Sequence, residues 1–305
     1  MKKRLAQCLI VLLLSLACNK ATEIDVPGQK PLLVVNGQWR QNNMFMLRVT
    51  RSRGITDPFD TGAALFSTYE VKNALVTIKE NNIVVDTLKY DTMNFIYSSI
   101  HNRRAKLNAI YTITSSFTGF TPVTATSPLL SLMTIRGTQL KSGTRYNASG
   151  DLMDEISFSF ADDESQMDYY LIRVRKGDGS YAECINTTDQ DFEKLVFNNP
   201  FTTETCLDGD KLLLSDKNFN GKTKKIVLSV SSDQMENMLI SGRIRHPYIE
   251  LLHITQDFFK YIRSSNNYDI AGINPFAEPA NIYSNITNGY GFFTAYSLAT
   301  DSLHK

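Results

Sequence analysis

Cys18 is the residue whose surroundings predict the most definite chemistry in this chain. It ends the tetrad Ser-Leu-Ala-Cys at residues 15–18, after a basic start at residues 1–4 and an apolar run over residues 5–16. This order is typical of a secretory signal peptide, and the tetrad matches a lipobox except that Ser15 replaces an aliphatic residue. We therefore expect cleavage before Cys18 and acylation of its thiol. An ordinary secretory peptide with an incidental cysteine is the alternative.

The apolar run before Cys18 is too short to span a bilayer, which needs about 20 apolar residues. Polar Asn19 and Lys20 follow the cysteine directly, so we expect a mature chain held at the membrane by its lipid alone. Asn19 is not the aspartate associated with retention at the inner membrane. The expected location is the outer membrane, with the periplasmic and cell-surface faces both possible.

Cys184 and Cys206 are the two cysteines expected in the mature folded part, because Cys8 leaves with the signal peptide. In an oxidising compartment they predict a disulfide that closes a loop of about 20 residues and contributes on the order of 3 kcal/mol. Two buried free thiols are the alternative. A zinc site would need further clustered ligands, so we expect no metal.

Other chemical motifs are missing from the sequence. It contains no nucleophile, zinc or nucleotide-binding signature, so we expect neither an enzyme nor a cofactor. His253 and Asp257 have helical spacing and predict a solvated pair, and the acidic run at residues 162–164 lacks a complete calcium-loop spacing. The 32 Lys and Arg against 31 Asp and Glu give no attraction to nucleic acid.

The first half of the mature chain shows the period-two pattern of half-buried antiparallel strands. Residues 18–30 contain Pro27 and Gly28 and predict a tether, whereas residues 45–50 and 74–79 alternate apolar and polar side chains. Asn81-Asn82 predicts a tight hairpin turn. Several short strands in about 100 residues predict an immunoglobulin-like sandwich over residues 31–128.

The second half, residues 129–305, predicts a second β-rich domain with one or two short helices. The alternating sets are Ile156, Phe158 and Phe160, followed by Tyr170, Ile172 and Val174. One helix is expected from Ser231, with Gln234 completing a capping box, and one from near Thr255. Residues 264–291 predict a long loop before a last strand at residues 292–297. The expected fold is mainly β, with two sandwich-like domains.

Three segments together resemble the Bacteroidota lipoprotein family called domain-of-unknown-function family 4249. They are residues 18–37, residues 111–125 and residues 274–293, the last including Asn-Pro-Phe and Asn-Gly-Tyr-Gly. The chain departs from the family at Asn288, where glycine is frequent.

The family has no established activity, and its members are often encoded beside TonB-dependent transporters. The resemblance implies a binding or accessory subunit of such a transporter. A surface adhesion or structural module is the alternative, and a glycan- or peptide-acting enzyme is third.

Glycosylation is a further expectation that follows from the same phylum. There the sugar is attached to Ser or Thr in Asp-Ser/Thr followed by an apolar residue or Thr, a pattern found at Thr87, Thr92 and Ser302. Thr92 and Ser302 are favoured, because Thr87 is expected within a strand.

Overall fold

The fold is known from a computed structural model that describes residues 30–54, 68–195, 206–273 and 280–304. The strands of its first half are β1 Leu33–Arg40, β2 Met46–Arg51, β3 Leu75–Glu80, β4 Ile83–Asp91, β5 Ile96–Ser98, β6 Ala109–Ser116 and β7 Val123–Leu129. Those of the second half are β8 Arg136–Tyr146, β9 Leu152–Ala161, β10 Tyr169–Arg175, β11 Leu212–Ser215, β12 Thr223–Ser231, β13 Met238–Ile240, β14 Arg243–Arg245, β15 Tyr248–Ile254 and β16 Tyr290–Ser302. Helix α1 spans Gln256–Ile273.

These strands form an eleven-stranded sheet, a three-stranded sheet and a two-stranded hairpin within the described ranges. The mainly β, sandwich-like fold class that the sequence predicts is therefore confirmed. The order in the large sheet is β11-β10-β15-β16-β1-β2-β5-β4-β3-β6-β7. No helix in the described part of the chain is both long enough and apolar enough to cross a membrane.

The β3–β4 hairpin follows from its turn residues. Asn81 and Asn82 have φ values of 50° and 69°, the left-handed region that a two-residue hairpin loop requires and that asparagine tolerates. Val76 and Ile78 on β3 are fully buried while their neighbours are not. The predicted turn and the predicted alternation are both confirmed.

The first core is built around Trp39 on β1. Its ring centroid lies 4.6 Å from that of Phe45 and 4.7 Å from that of Phe293, and its indole N–H donates to the Met46 carbonyl at 2.6 Å. Phe293 lies on β16, the last strand of the chain. The first core therefore needs a residue from the far end of the sequence.

Strand β16 joins the two halves, since it pairs parallel with β1 and antiparallel with β15. The sheet also curls back on itself: Thr124, on β7, bridges to Thr287, and the Ala295 N–H donates to Ser127 Oγ at 2.9 Å. The two cores are separate clusters, although the first takes Ile286, Phe293 and Ala295 from the end of the chain, and the strand ladder is continuous. The division into domains at residues 128 and 129 stays a prediction.

Two glycines allow the backbone of β16 to approach the backbone of β1 closely. A Cβ on Gly291, whose φ is +103°, would lie 2.1 Å from the Val35 carbonyl oxygen, and one on Gly289 would lie 2.5 Å from that of Leu33. Both positions therefore exclude a side chain. Asn288 has φ 63°, a conformation that glycine and asparagine share. This part of the family motif shapes the backbone, while residues 274–279 lie outside the described ranges.

The second core lies between the three-stranded sheet, β12-β9-β8, and the β11-β10-β15 end of the large sheet. Ile156, Phe158 and Phe160 pack against Tyr170 and Ile172, so the predicted alternation on β9 is confirmed. This is a sandwich in which inward-facing side chains of two sheets share one core.

Helix α1 covers the opposite face of the same strands. Phe258 and Phe259 pack with Leu171, Leu213 and Leu252, which explains why β10, β11 and β15 are buried on both faces. Such strands lose the strict alternation of a half-exposed sheet.

The second predicted helix starts as expected and is longer than expected. Thr255 Oγ1 accepts from the Phe258 N–H at 3.2 Å, an N-cap contact. The helix then continues to Ile273, so the loop predicted from residue 264 was wrong in its first part. The last strand is also longer than the predicted residues 292–297.

The helix predicted from Ser231 is only a 3₁₀ turn, Ser232–Met235, with no side-chain cap on Ser231. Gln234 does not fold back on the turn. Its amide bonds the backbone of Glu183, accepting at 2.7 Å and donating at 3.1 Å. The predicted capping box was therefore wrong, because the glutamine side chain hydrogen-bonds a distant backbone segment instead of the start of the turn.

Candidate functional site

A disulfide fixes one end of the loop that carries the largest described cavity. Cys184 and Cys206 are joined, with Cα atoms 4.8 Å apart and a sequence separation of 22. Ile185 and Leu207, the residues that follow the two cysteines, exchange two backbone hydrogen bonds of 2.8 Å. The loop that follows Cys184 is thereby held against the second sandwich.

The cavity beside this loop has a volume of about 390 Å³. Its lining combines polar side chains with apolar ones: the polar set includes Asn186, Thr187, Thr188, Asp189 and Gln190, and the apolar set includes Ile185, Phe192 and Leu207. A neighbouring cavity of about 260 Å³ shares Asn186, Thr187 and Thr188 and reaches Arg145 and Glu155. The loop therefore presents polar side chains to two adjacent cavities.

A second feature is a group of three aspartates, Asp162, Asp168 and Asp216, which we call the carboxylate cluster. One carboxylate oxygen from each lies within 4.8 Å of the others. Asp162 follows β9, Asp168 precedes β10 and Asp216 follows β11. Because Tyr169 pairs with Ser215 across the antiparallel β10–β11 ladder, the next residues outward, Asp168 and Asp216, meet at the same sheet edge.

Hydrogen bonds hold each carboxylate in place. Asp162 accepts from the Tyr170 hydroxyl and, at 2.7 Å, from the Gly221 N–H. Asp216 Oδ2 accepts from the Asp168 N–H at 2.8 Å. Asp216 Oδ1 is buried and has no hydrogen-bond partner among the described residues. These bonds orient Asp162 and Asp216 and leave Asp216 Oδ1 without a donor among the described residues.

His253 adjoins the cluster from β15. Its ring stacks on Tyr170 at 5.3 Å between centroids, because the two residues are directly paired across β10 and β15. Nδ1 lies 3.1 Å from the Ser131 carbonyl oxygen, and Nε2 lies 3.1 Å from Asp168 Oδ1. The second contact lacks the alignment of a hydrogen bond, so it acts as an ion pair only when the ring is protonated.

The solvated pair predicted between His253 and Asp257 was wrong. His253 is 3% exposed, and Asp257 instead accepts from the Tyr283 hydroxyl at 2.6 Å. Helical spacing does not apply here, because the helix begins at Gln256 and leaves His253 on the preceding strand.

Burial and neighbouring charges shift the pKa of two groups at the cluster, Asp216 and Tyr170. Burial, together with the charges of Asp162 and Asp168, raises the pKa of Asp216 above its ordinary value, although the bond from the Asp168 backbone opposes this. Burial and the bond to Asp162 raise the pKa of Tyr170. Both shifts favour the neutral form of the group concerned.

A cavity of about 250 Å³ opens beside the cluster. Asp162, Asp168 and His253 line it, together with the exposed side chains of Asp163 and Arg136. The cavity gives water, and small solutes, a route to two of the three carboxylates.

The residues singled out in the sequence are scattered. Cys18 lies outside the described residues. Thr87, Thr92 and Ser302 all have exposed side chains, as attachment of a sugar would require, and their glycosylation stays a prediction. None of the three lies among the residues lining the cavities described here.

The cluster itself was missed in the sequence. Of its three aspartates, only Asp162 is singled out by the sequence pattern, as part of the acidic run at residues 162–164. The available signal was an aspartate directly at the end of each of three apolar strands, which is where a sheet edge can bring side chains together.

These elements define a mainly β protein of sandwich-like architecture with cavities beside its loops. The chain belongs to the family described as Domain of unknown function (DUF4249), whose model matches residues 20–302. No curated protein sequence matches it.

One similar solved structure is the Parabacteroides merdae β-glucuronidase (GUS), at 8% identity over 74% of this chain and 24% of that chain. This chain thus spans about a quarter of that protein's length. The TM-score of 0.21 is too low to support any inference.

Proposed function

We propose that this protein is an outer-membrane lipoprotein, anchored through acylated Cys18, that serves as a non-enzymatic binding or accessory subunit beside a TonB-dependent transporter. The signal peptide and lipobox of residues 1–18 support the anchor. The family resemblance supports the association with a transporter. The Cys184–Cys206 disulfide supports export, since disulfides persist in oxidising compartments.

The observation that carries the binding role is the cavity on the disulfide-held loop. Its volume of about 390 Å³ lies within the range of small-molecule sites, roughly 300–1,000 Å³. Thr188 and Gln190 have exposed side chains at its edge, and hydroxyl and amide groups suit a sugar or peptide ligand. Such a loop can capture a ligand without reacting with it.

The anchor allows the folded part to reach a membrane partner. Strand β1 begins at Leu33, roughly 15 residues after Cys18, and a fully extended segment of that length spans about 50 Å. The sandwich can therefore lie on the bilayer or stand off it beside a barrel.

Co-purification tests the partner. The tagged protein, solubilised from outer membranes of its native host, should bring down a β-barrel transporter. The matched Cys18→Ala protein should lose both the incorporation of a fatty-acid analogue and the transporter. Acylation that persists in Cys18→Ala would refute the anchor, and wild-type protein that arrives without a barrel would favour the adhesion or structural alternative.

Filling the cavity tests the binding role. Arrays of oligosaccharides and short peptides, probed with the purified protein, should give a signal that Thr188→Trp reduces at least tenfold, because the indole occupies the cavity. Thr223→Trp is the matched control, since Thr223 is exposed at the start of β12 outside that cavity. Equal signals from the two variants would place binding elsewhere.

An enzyme acting on glycans or peptides is the third alternative, and the carboxylates beside the 250 Å³ cavity are its only structural support among the described residues. In retaining glycosidases the two carboxyl groups flank the bond at about 5–5.5 Å. Here the oxygens lie within 4.8 Å, and Asp168 and Asp216 are almost fully buried. This spacing and burial suit a bound ion better than a scissile bond.

A further inference from the structure

The carboxylate cluster holds more negative charge than its described surroundings neutralise. Asp168 and Asp216 are 2% and 0% exposed, and His253 is the one basic side chain in the described ranges that lies within ion-pair distance of the three carboxylates. Arg136 lines the neighbouring cavity with its side chain in solvent. Three ionised carboxylates facing at most one imidazolium would leave two negative charges uncompensated.

Asp216 Oδ1 gives an independent indication that this cluster is a binding site. The side chain is 0% exposed and Oδ1 has no donor among the described residues, whereas its partner oxygen is used by the Asp168 N–H. Native proteins rarely leave a buried carboxylate oxygen unpaired, because its desolvation is then uncompensated. An oxygen of this kind beside two further carboxylates calls for a positive charge.

We propose that the carboxylate cluster binds a hard divalent cation, with Ca²⁺ favoured over Mg²⁺. Carboxylate oxygens are the donors that both ions prefer. Ca²⁺ accepts six to eight oxygen ligands in flexible geometry, whereas Mg²⁺ demands a near-ideal octahedron with shorter metal–oxygen distances. One oxygen from each aspartate lies within 4.8 Å of the others, an arrangement fixed by the protein that the more adaptable Ca²⁺ tolerates better.

The surrounding contacts prepare the site for such an ion. Tyr170 and the Gly221 N–H orient Asp162, and Gln166 Nε2 donates to Asp168 Oδ1 at 2.8 Å. Partners of this type fix ligand orientation in metal sites. The 250 Å³ cavity provides the path for entry and room for the water molecules that complete six to eight ligands.

Calorimetry and thermal unfolding test the proposal on the full chain after removal of metals with EDTA. Calcium chloride should bind with a stoichiometry of one. At a hundredfold excess over Kd it should raise the unfolding midpoint by about 5 °C. Magnesium chloride should bind at least tenfold more weakly. Absence of binding by both salts at millimolar concentration would overturn the proposal and show that protons neutralise the cluster.

Two matched variants locate the ion. Asp216→Asn keeps the shape of the side chain and its bond from Asp168 while removing a charge, so it should fold and lose at least tenfold in calcium affinity. Asp163→Asn removes an exposed carboxylate from the rim of the same cavity and should bind as wild type. Binding that survives Asp216→Asn unchanged would place the ion elsewhere and overturn the assignment.

Terbium luminescence gives a second readout that does not depend on stability. Tyr170 touches Asp162, so excitation of tyrosine should sensitise emission from Tb³⁺ bound in the cluster. Tyr170→Phe should remove most of this emission, and added Ca²⁺ should quench it in wild type by competition. Emission that is unaffected by Tyr170→Phe would contradict the proposed location.

Discussion

Two acidic clusters of the second sandwich are built from the same residue type and differ in what neutralises them. The lysine-paired cluster consists of Asp189, Asp191 and Lys224. Lys224 Nζ lies 2.7 Å from Asp189 Oδ2 and also contacts Asp191. In the carboxylate cluster, Asp162, Asp168 and Asp216 meet no lysine or arginine within ion-pair distance among the described residues. One cluster therefore contains a lysine, whereas the other has only His253 beside it within the described residues.

The direction of the pKa shifts follows this difference. Burial opposes ionisation of Asp191, but hydrogen bonds from Lys224 and Asn218 prevail and lower its pKa. The pKa of Asp216 is raised, because burial is reinforced by neighbouring carboxylates. A buried carboxylate thus stays ionised where a donor cation is fixed beside it, and tends to neutrality where none is.

Phe219 lies close to residues of both clusters. Lys224 Nζ lies 5.1 Å from the Phe219 ring centroid, and Phe219 lies 6.2 Å from Tyr170, which donates to Asp162 of the carboxylate cluster. Among the described residues, Lys224 forms ion pairs with Asp189 and Asp191 and with no member of the carboxylate cluster.

The largest expected effect comes from the loop that carries Asp189 and Asp191. Replacing Cys184 and Cys206 by serine opens a link across 22 positions and should lower the free energy of unfolding by about 3 kcal/mol. Urea denaturation measures the loss, and reduction of wild-type protein should reproduce it. A loss below about 1 kcal/mol would mean that packing alone holds the loop.

Removing the internal cation should have the next largest effect. Lys224→Met leaves two carboxylates facing each other with little access to water, and should cost about 2–3 kcal/mol in unfolding free energy. Lys225→Met is the matched control, because Lys225 is exposed on the same strand, and it should change stability by less than about 0.5 kcal/mol. Equal losses from the two variants would contradict the role given to the buried lysine.

The pH dependence sharpens this test. The pKa of Asp191 is lowered from 3.8 and that of Lys224 is raised from 10.5 in the folded protein. The stability that ionised Asp191 contributes is therefore present above pH 3.8 and is lost as the pH falls through the folded pKa of Asp191. The stability that protonated Lys224 contributes is present below pH 10.5 and is lost as the pH rises through the folded pKa of Lys224. The cost of Lys224→Met should be greatest between these limits and shrink towards acid.

The smallest effect is expected in the other cluster. In EDTA, Asp216→Asn should change the free energy of unfolding by less than about 0.5 kcal/mol, because it relieves repulsion while keeping the bond from the Asp168 N–H. The same urea titration measures it. A loss above about 1.5 kcal/mol without added metal would show that ionised Asp216 already has a partner, and would remove the contrast between the clusters.

Features that depend on neighbouring residues could be predicted from the sequence. The alternation of Ile156, Phe158 and Phe160, the turn at Asn81-Asn82 and the helix start at Thr255 each involve residues a few positions apart. Side-chain periodicity and backbone preference act over that distance. The proposed signal peptide and the proposed acylation of Cys18 rest on the same kind of local pattern.

Tertiary structure alone decided what distant segments do together. The parallel pairing of β1 with β16 completes the first core with Phe293, and no local pattern specifies a partner strand more than 200 residues away. Gln234 is a second example. A local capping box would use its side chain within the turn, but the side chain accepts a hydrogen bond from the distant Glu183 N–H instead.

The carboxylate cluster is the clearest case. Each aspartate by itself is an ordinary polar residue at the end of a strand, and the sequence determines only that three such strands exist. The antiparallel register of β10 with β11 and the packing of β9 against them bring Asp162, Asp168 and Asp216 within 4.8 Å. Burial then turns their charges into a site, because the free energy of a carboxylate depends on its solvent and neighbours, which the fold supplies.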